Sequence, residues 1–391
     1  MLPYVIFGLI ALAVLMYVLM DGWDLGVGIL FLVAPRDAER DQMMESIVPF
    51  WDGNETWLVF GGVTLFGAFP SVYAAALQVL YLPVMMMLLA LVFRGISFEF
   101  RARATGSRVA WNWAFGLGST VASFSQGMML GKLVQGVPLQ PAAYGQAITV
   151  SLFPILCGVA MVSGYALLGA AWVVYKTDGT TQTFGREVSR AAWLLTLTTF
   201  FIAGVWTPLS VAQVGRRWFG FPQALLFGAL AVALVAAALA FWRSIWTSQS
   251  DARMLRLAVL MTVLAFAGVA GTIWPYALPY RVSIVNAAAD PVTLKFVLVG
   301  IVCVLPLVLI YQLYAYRVFA GKVSENSNGY GAPRPPRPAV IRGVLAKAIR
   351  LCIFHERPEE GCRRVAGALV NSPGYNLPLA RRTRAKLRLR P

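Results

Sequence analysis

Two aspartates stand inside the first apolar segment of the sequence, VLMYVLMDGWDLGVGILFLV. Asp21 and Asp24 are three residues apart, so they share one face of a helix. A carboxylate within a bilayer costs on the order of 3 kcal/mol, and it should therefore face protein groups or water. Nearby glycines allow a second helix to approach closely. The pattern predicts a role in proton or cation traffic, with a purely structural pair, satisfied by an arginine or a free backbone amide, as the alternative.

A second polar run, PFWDGNETWLVFGG, precedes the next apolar stretch. Helix starts favour Asn and acidic residues, so capping alone explains Asn54 or Glu55. Capping does not explain a run with Asp52 that is flanked by Trp51 and Trp57, because paired tryptophans are typical of a membrane interface. We therefore expect a proton-uptake mouth at this end of the helix.

The third motif, FRGISFEFR, places Arg94 inside an apolar block and Glu99 and Arg101 at its border. A buried arginine needs a carboxylate partner, and the aspartates of the first two motifs are the candidates. The alternative is that the long side chain reaches the interface, or snorkels. The two explanations are balanced for Arg94, whereas snorkelling is favoured for Arg101.

The elements that carry these residues are apolar helices. Hydrophobic residues make up 59% of the 391 residues and charged residues only 13%, against about 25% in soluble domains. Blocks of about 18 or more apolar residues are long enough to cross a bilayer as helices. Nine such blocks are predicted, and an eight-span chain with one re-entrant block is the competing interpretation. Their approximate ranges are 4–34, 57–76, 79–98, 112–133, 148–175, 192–212, 222–246, 255–278 and 293–319.

Basic loops predict the orientation of the spans. The segments 99–111, 176–191 and 243–256 are arginine- or lysine-rich and fall on one side, which the positive-inside rule assigns to the cytoplasm. Arg216 and Arg217 fall on the other side and disagree. The predicted topology has an outside N-terminus and a cytoplasmic C-terminus.

The sequence divides into a membrane region, 1–323, and a basic tail, 324–391. The tail holds 14 of the 33 Lys and Arg residues and begins with a Pro- and Gly-rich linker. Such a tail is expected to be disordered or to lie on anionic lipid, and nucleic-acid binding is disfavoured. Its Cys352, His355 and Cys362 have no standard zinc spacing, so no metal site is predicted.

The distribution of histidine limits the chemistry. His355 in the tail is the sole histidine, so no span can supply bis-His or His/Met haem ligation. The sequence also lacks a nucleotide-binding GxxxxGK[ST] loop and a nucleophile elbow.

The motifs MDGWDLGVGIL, PFWDGNETWL, FRGISFEFR, AGVWTPL and WPYALPYRVSIVNAAADPVTL occur in this order along 1–323. In them the chain resembles subunit II of the cytochrome bd-type quinol oxidases, including the cyanide-insensitive branch. The resemblance implies an all-α polytopic fold with about nine transmembrane helices in two four-helix bundles plus one peripheral helix.

The resemblance also implies a function. Subunit II binds no haem itself, stabilises the subunit I that carries the b- and d-type haems, and contributes to a cytoplasmic proton path for reduction of O2 to water. The family's path residues correspond to Asp21 and Asp52. The full candidate set is Asp21, Asp24, Asp52, Glu55, Arg94, Glu99 and Arg101.

The implied partners are subunit I, quinol as substrate of the complex, membrane lipid, a small accessory subunit and a structural quinone, all in a bacterial inner membrane. The alternative function is a proton- or cation-coupled secondary transporter, since such proteins also bury acids in broken spans. An inverted repeat would favour a transporter, and the sequence shows none. A structural partner with inert acids is the third possibility.

Overall fold

The computed structural model describes residues 1–104, 106–137, 151–247 and 251–324, and nearly all of these residues are helical. The predicted tail beyond Ser324 lies outside the described residues. The helices are α1 (Leu2–Phe31), α2 (Asp37–Ile47), α3 (Trp51–Ala68), α4 (Pro70–Arg103), α5 (Arg108–Gln135), α6 (Leu152–Lys176), α7 (Gly179–Ser210), α8 (Ala212–Phe219), α9 (Gln223–Trp246), α10 (Asp251–Ile273), α11 (Ile284–Ala287) and α12 (Pro291–Val318).

Seven helices in the described part of the chain are long and apolar enough to cross a membrane: α1, α4, α6, α7, α9, α10 and α12. The other two predicted blocks are also helical, as α3 and α5. The polar first turns of α3 and the Gly and Ser content of α5 lower their hydropathy. The predicted all-α polytopic fold is confirmed, and the chain is a multi-pass membrane protein. The number of nine crossings stays a prediction.

Several boundaries differ from the sequence prediction. Helix α3 ends at Ala68 and α4 begins at Pro70, whereas the two apolar blocks were placed at 57–76 and 79–98, because the break at Phe69 and Pro70 lies within an apolar stretch. Helix α7 begins at Gly179, whereas its apolar block was placed at 192, because the polar turns GTTQTFGREVSR lower hydropathy without interrupting the helix. Helix α10 ends at Ile273, beside the prolines that predicted a break. A short antiparallel hairpin of β1 (Tyr276–Leu278) and β2 (Val282–Ser283) follows, and it was not predicted.

The long helices form two groups of four. In the first group α1 packs against α3 and α5, and α4 lies along α5. In the second group α6 lies along α7, and α10 contacts α6 and α9. Helices α1 and α5 both pack against α6 and join the two groups, and on α1 and α6 Trp23 and Trp172 stack with ring centroids 4.9 Å apart. Helix α12 packs mainly along α3 at the edge, as expected of a peripheral helix.

Glycines permit the closest helix contacts. A Cβ at Gly26 of α1 would overlap the carbonyl oxygen of Tyr165 and the backbone of Gly169 on α6. A Cβ at Gly118 of α5 would lie 2.8 Å from the carbonyl oxygen of Ala90 on α4. The contact at Gly26 brings α6 close to the acidic segment of α1, as the glycines beside the aspartates predicted, and the contact at Gly118 brings α5 close to α4 beside Arg94.

Candidate functional site

Arg94 lies at the centre of a buried group of acids. Its side chain is fully buried, and its Nη2 lies 2.8 Å from Oδ1 of Asp21, whose side chain is also 0% exposed. Its Nη1 donates to Oε1 of Glu55 over 2.7 Å. Asp24 is more distant, with Oδ2 4.0 Å from Nη2. The structure therefore brings together four of the predicted residues, from α1, α3 and α4. We call these four residues the Arg94 cluster.

The charges in the Arg94 cluster do not balance. Three carboxyl groups face one guanidinium group, and three of the four side chains are fully buried. An uncompensated buried charge is expensive, by several kcal/mol per ion. The cluster therefore favours taking up protons, while the arginine still permits one carboxylate to be ionised. That combination is what a site that accepts and releases protons requires.

Asp52 lies at the outer edge of this arrangement. It is exposed, in the first turn of α3, and its side chain contacts no Arg94 cluster residue by hydrogen bond or ion pair. Glu55 follows three residues later and so lies near the same helix face, with 26% of its side chain exposed. Exposure thus falls from Asp52 through Glu55 to the fully buried Asp21 and Asp24. The sequence placed Glu55 below Asp52 as a candidate, whereas Glu55 is the one that contacts Arg94.

Asn54 and the last long helix hold the inner end of the Arg94 cluster. Asn54 Nδ2 donates to Asp24 Oδ2 over 2.7 Å and to the Met20 carbonyl oxygen over 3.2 Å. The Tyr316 hydroxyl of α12 donates to Asn54 Oδ1 over 3.2 Å. One turn earlier, Gln312 donates to the Gly53 carbonyl oxygen over 2.8 Å.

Sequence reasoning missed both α12 residues. The signal that could have found them is two hydrogen-bonding side chains four residues apart in an apolar block, at Gln312 and Tyr316. Such a pair marks one polar face on a helix that is otherwise apolar.

Arg101 and Glu99 lie outside the Arg94 cluster. The Arg101 side chain is only 3% exposed, and its Nη1 pairs with Asp41 Oδ1 of α2 over 2.7 Å. The expectation that Arg101 snorkels is therefore wrong. Its Nε also donates to Asn112 Oδ1 over 2.5 Å. Glu99 instead pairs with Arg103 at the surface, over 3.1 Å.

The surroundings of Arg101 are rich in arginine. Arg108 also pairs with Asp41, and Asp37 accepts from Arg40 over 3.0 Å and from Asn112 over 3.1 Å. Partial burial alone would raise the pKa of Asp37, but the hydrogen bonds from Arg40 and Asn112 outweigh it and lower that pKa. We call Arg101, Arg108, Arg40, Asp41, Asp37 and Asn112 the Arg101 cluster.

A third buried polar group adjoins Asp21. Gln126 Nε2 of α5 donates to the Tyr17 hydroxyl over 2.9 Å, and the Tyr165 hydroxyl of α6 donates to Gln126 Oε1 over 2.7 Å. Tyr17 precedes Asp21 by one turn of α1. These contacts extend the polar interior across α1, α5 and α6.

The residues of the described ranges do not fit a haem or metal site. They contain no histidine, and no group of three or more Cys, Asp or Glu is arranged to hold a metal ion. Cys157 and Cys303 are free thiols in separate helices.

Comparison with known proteins agrees with this architecture. The family model described as cytochrome bd terminal oxidase subunit II matches residues 2–319. The cytochrome bd-I ubiquinol oxidase subunit 2 of Escherichia coli K12 is 28% identical over 81% of this chain and 94% of its own length. The probable cytochrome oxidase subunit 2 of Haemophilus influenzae is 29% identical, over 78% of this chain and 91% of its own. The cytochrome bd ubiquinol oxidase subunit 2 of Bacillus subtilis is 27% identical over 82% and 96%.

A solved structure shows the same fold. A chain of the bd oxidase from Geobacillus thermodenitrificans superposes with a TM-score of 0.65 at 17% identity, covering 81% of this chain and 98% of that one. At this identity the likeness concerns the fold alone. The family model spans nearly the whole described part of the chain, and its match rests on the sequence itself. The chain therefore belongs to the cytochrome bd terminal oxidase subunit II family.

Proposed function

We propose that this chain is the haem-free subunit II of a terminal quinol:O2 oxidoreductase in a bacterial inner membrane. In this role it stabilises a haem-bearing subunit I and contributes to the cytoplasmic proton path for reduction of O2 to water. Family membership and the names of the E. coli and B. subtilis relatives support the oxidase role. The absence of histidine from residues 1–323 supports the assignment of the b- and d-type haems to the partner.

The observation that carries the proton path is the Arg94 cluster with its graded exposure. A proton would pass from the exposed Asp52 to Glu55, and from there to Asp21 and Asp24, which are fully buried. Arg94 compensates one negative charge, so one carboxylate can remain ionised. When a second carboxylate is ionised the Arg94 cluster carries a net negative charge, and uptake of a proton then restores neutrality, which makes the step favourable.

Glu99 and Arg101 are left outside this proposed path. Glu99 is engaged by Arg103 at the surface, and Arg101 is held by Asp41 and Asn112. The Glu99–Arg103 pair is balanced in charge, and arginines outnumber acids around Arg101. Neither site therefore has a surplus acid to protonate.

The predicted topology complements the path. With the N-terminus outside, the start of α3 faces the cytoplasm, where Asp52 would collect protons. The further partners we propose are membrane lipid, a small accessory subunit and a structural quinone within this subunit.

The test is oxygen consumption by the purified complex with quinol as donor. Asp52→Asn and Asp21→Asn should each slow turnover while the haem spectrum is kept, because the haems lie in the partner. Glu187→Gln, at an exposed acid of α7, is the control and should leave the rate unchanged. Full turnover in both aspartate variants would refute the path, whereas loss of the haem bands would indicate an assembly role instead.

The oxidase role itself is tested by purification. A tagged chain should bring with it a histidine-bearing subunit and b- and d-type haem bands in constant proportion. Purification of the chain without a haem protein would contradict the role and favour a transporter.

A further inference from the structure

The hydrogen bonds around Asn54 run in a fixed direction. Its Nδ2 group has two acceptors, the Asp24 carboxylate and the Met20 carbonyl oxygen. Its Oδ1 accepts from the Tyr316 hydroxyl. A carboxylate can only accept, so an ionised Asp24 requires the amide N–H to face it. Tyr316 completes this arrangement by supplying the donor on the opposite side of the amide.

We propose that Tyr316 is a positioning residue that sets the orientation of Asn54 and thereby the pH at which Asp24 takes up a proton. This inference deepens the proposed proton path and rests on it. The Tyr316 hydroxyl, more than 250 residues away in sequence, donates to Oδ1 of Asn54 while Nδ2 donates to the Asp24 carboxylate and to the Met20 carbonyl oxygen. The bond therefore stabilises the charged state of Asp24 without touching it.

Asn54 and Asp24 are both 0% exposed, so water cannot replace a lost partner. Without the Tyr316 hydroxyl, Oδ1 of Asn54 would become an unsatisfied buried acceptor, which is costly. Without that donor the amide is also less polarised, so its N–H group binds the Asp24 carboxylate more weakly. Loss of the hydroxyl thus favours the protonated acid.

Other charged groups near Asp24 do not change in this substitution. Nη2 of Arg94 on α4 lies 4.0 Å from Asp24 and also pairs with Asp21 of α1, whereas Glu55 of α3 pairs with Nη1 of the same guanidinium. The Tyr316 ring also packs, stacking on Phe50 with centroids 4.4 Å apart. Phenylalanine keeps that packing, so Tyr316→Phe isolates the hydroxyl.

The experiment uses the purified oxidase complex and two readouts, the pH profile of quinol oxidation and the infrared C=O band of protonated Asp24. Asp24→Asn identifies the band by its disappearance. In Tyr316→Phe, the pH midpoint of the infrared band and the matching limb of the pH–rate profile should both move upward by about one pH unit. A shift of this size is expected when one hydrogen bond to a charged group is weakened.

Gln312→Met is the matched control, since Gln312 is a buried amide one turn earlier on α12 that hydrogen-bonds Gly53 and Trp57 and not the side chain of Asn54. It should lower stability without moving the midpoint. An unmoved midpoint in Tyr316→Phe, or an equal shift in both variants, would overturn the proposal.

A substitute residue and a second readout cover the two ways in which a variant could fail. If Tyr316→Phe fails to assemble, 3-fluorotyrosine at position 316 keeps the size and strengthens the donor, and the midpoint should then move slightly downward; no movement would overturn the proposal. If Asp24→Asn keeps full turnover, the path through Asp24 is wrong, while the infrared midpoint still decides whether Tyr316 positions Asn54.

Discussion

Helix α4 carries two buried arginines with opposite surroundings. Arg94 and Arg101 are seven residues apart, which is two turns, so they lie on one face roughly 10 Å apart along the axis. Arg94 meets three carboxyl groups. Around Arg101, three arginines share two aspartates.

The contrast shows that a buried arginine has no fixed role. Surplus acid in a dry setting gives the Arg94 cluster a reason to bind protons, whereas the Arg101 cluster has no carboxylate to spare. The Arg101 cluster is also wetter, with 32% of the Asp41 side chain and 36% of the Arg108 side chain exposed. The contrast supports the proposed proton traffic at the Arg94 cluster, whereas the contacts of the Arg101 cluster attach α2 to α4 and α5.

The largest effect is expected when the cation of the Arg94 cluster is removed. Arg94→Gln leaves three carboxyl groups in a buried site without compensation and should destabilise the complex by about 3–5 kcal/mol. Thermal unfolding in detergent measures this loss. The exposed Arg103→Gln should change stability by less than about 0.5 kcal/mol.

A double variant makes the interpretation specific. Adding Asp21→Asn to Arg94→Gln should restore part of the stability, because it removes one of the uncompensated acids. Strictly additive losses would mean that the pair does not interact as the geometry indicates.

The next effect concerns turnover. Glu55→Gln keeps the size of the side chain that contacts Arg94 but cannot carry a proton, and it should slow oxygen reduction by about tenfold or more. Glu99→Gln on α4 is the matched control, since that acid pairs with Arg103 at the surface. Equal rates in the two variants would remove Glu55 from the path.

The sequence predicted the residues of the Arg94 cluster more completely than the polar residues that surround the two arginines. Charged residues in apolar blocks are conspicuous, so Asp21, Asp24 and Arg94 were recognised from their flanks alone. The role of Asp41 was not, because α2 is a polar segment whose pairing with Arg101 depends on how distant helices pack. Tyr316 was hidden for the same reason. The cost of burying a charged residue can be inferred from the sequence around it, whereas pairing between distant helices depends on the tertiary structure.

The third prediction tests whether the two clusters are separate. Arg101→Gln leaves Asn112 without its donor and Asp41 with only Arg108, which should cost about 1–3 kcal/mol of stability. Turnover per assembled complex should stay within about twofold, because no proton carrier is lost. A decrease as large as that in Glu55→Gln would place both arginines on one proton path.

The smallest effect is a pH dependence confined to the Arg101 cluster. Hydrogen bonds from Arg40 and Asn112 overcome the effect of burial and lower the pKa of Asp37 in the folded chain. Its contribution is therefore present above the unfolded value of 3.8 and is lost as the pH falls through the lower folded value. Asp37 has 47% of its side chain exposed, so the contribution should be within about 1 kcal/mol.

Acid titration of unfolding in wild type and Asp37→Asn measures this contribution. The wild-type stability should fall more steeply below about pH 4 than that of the variant, because only the wild type must protonate Asp37. Parallel curves would show that Asp37 is not held ionised by its neighbours. Asp37 is thus expected to stay ionised until the pH is acidic. The acids of the Arg94 cluster are proposed to do the opposite and to accept protons.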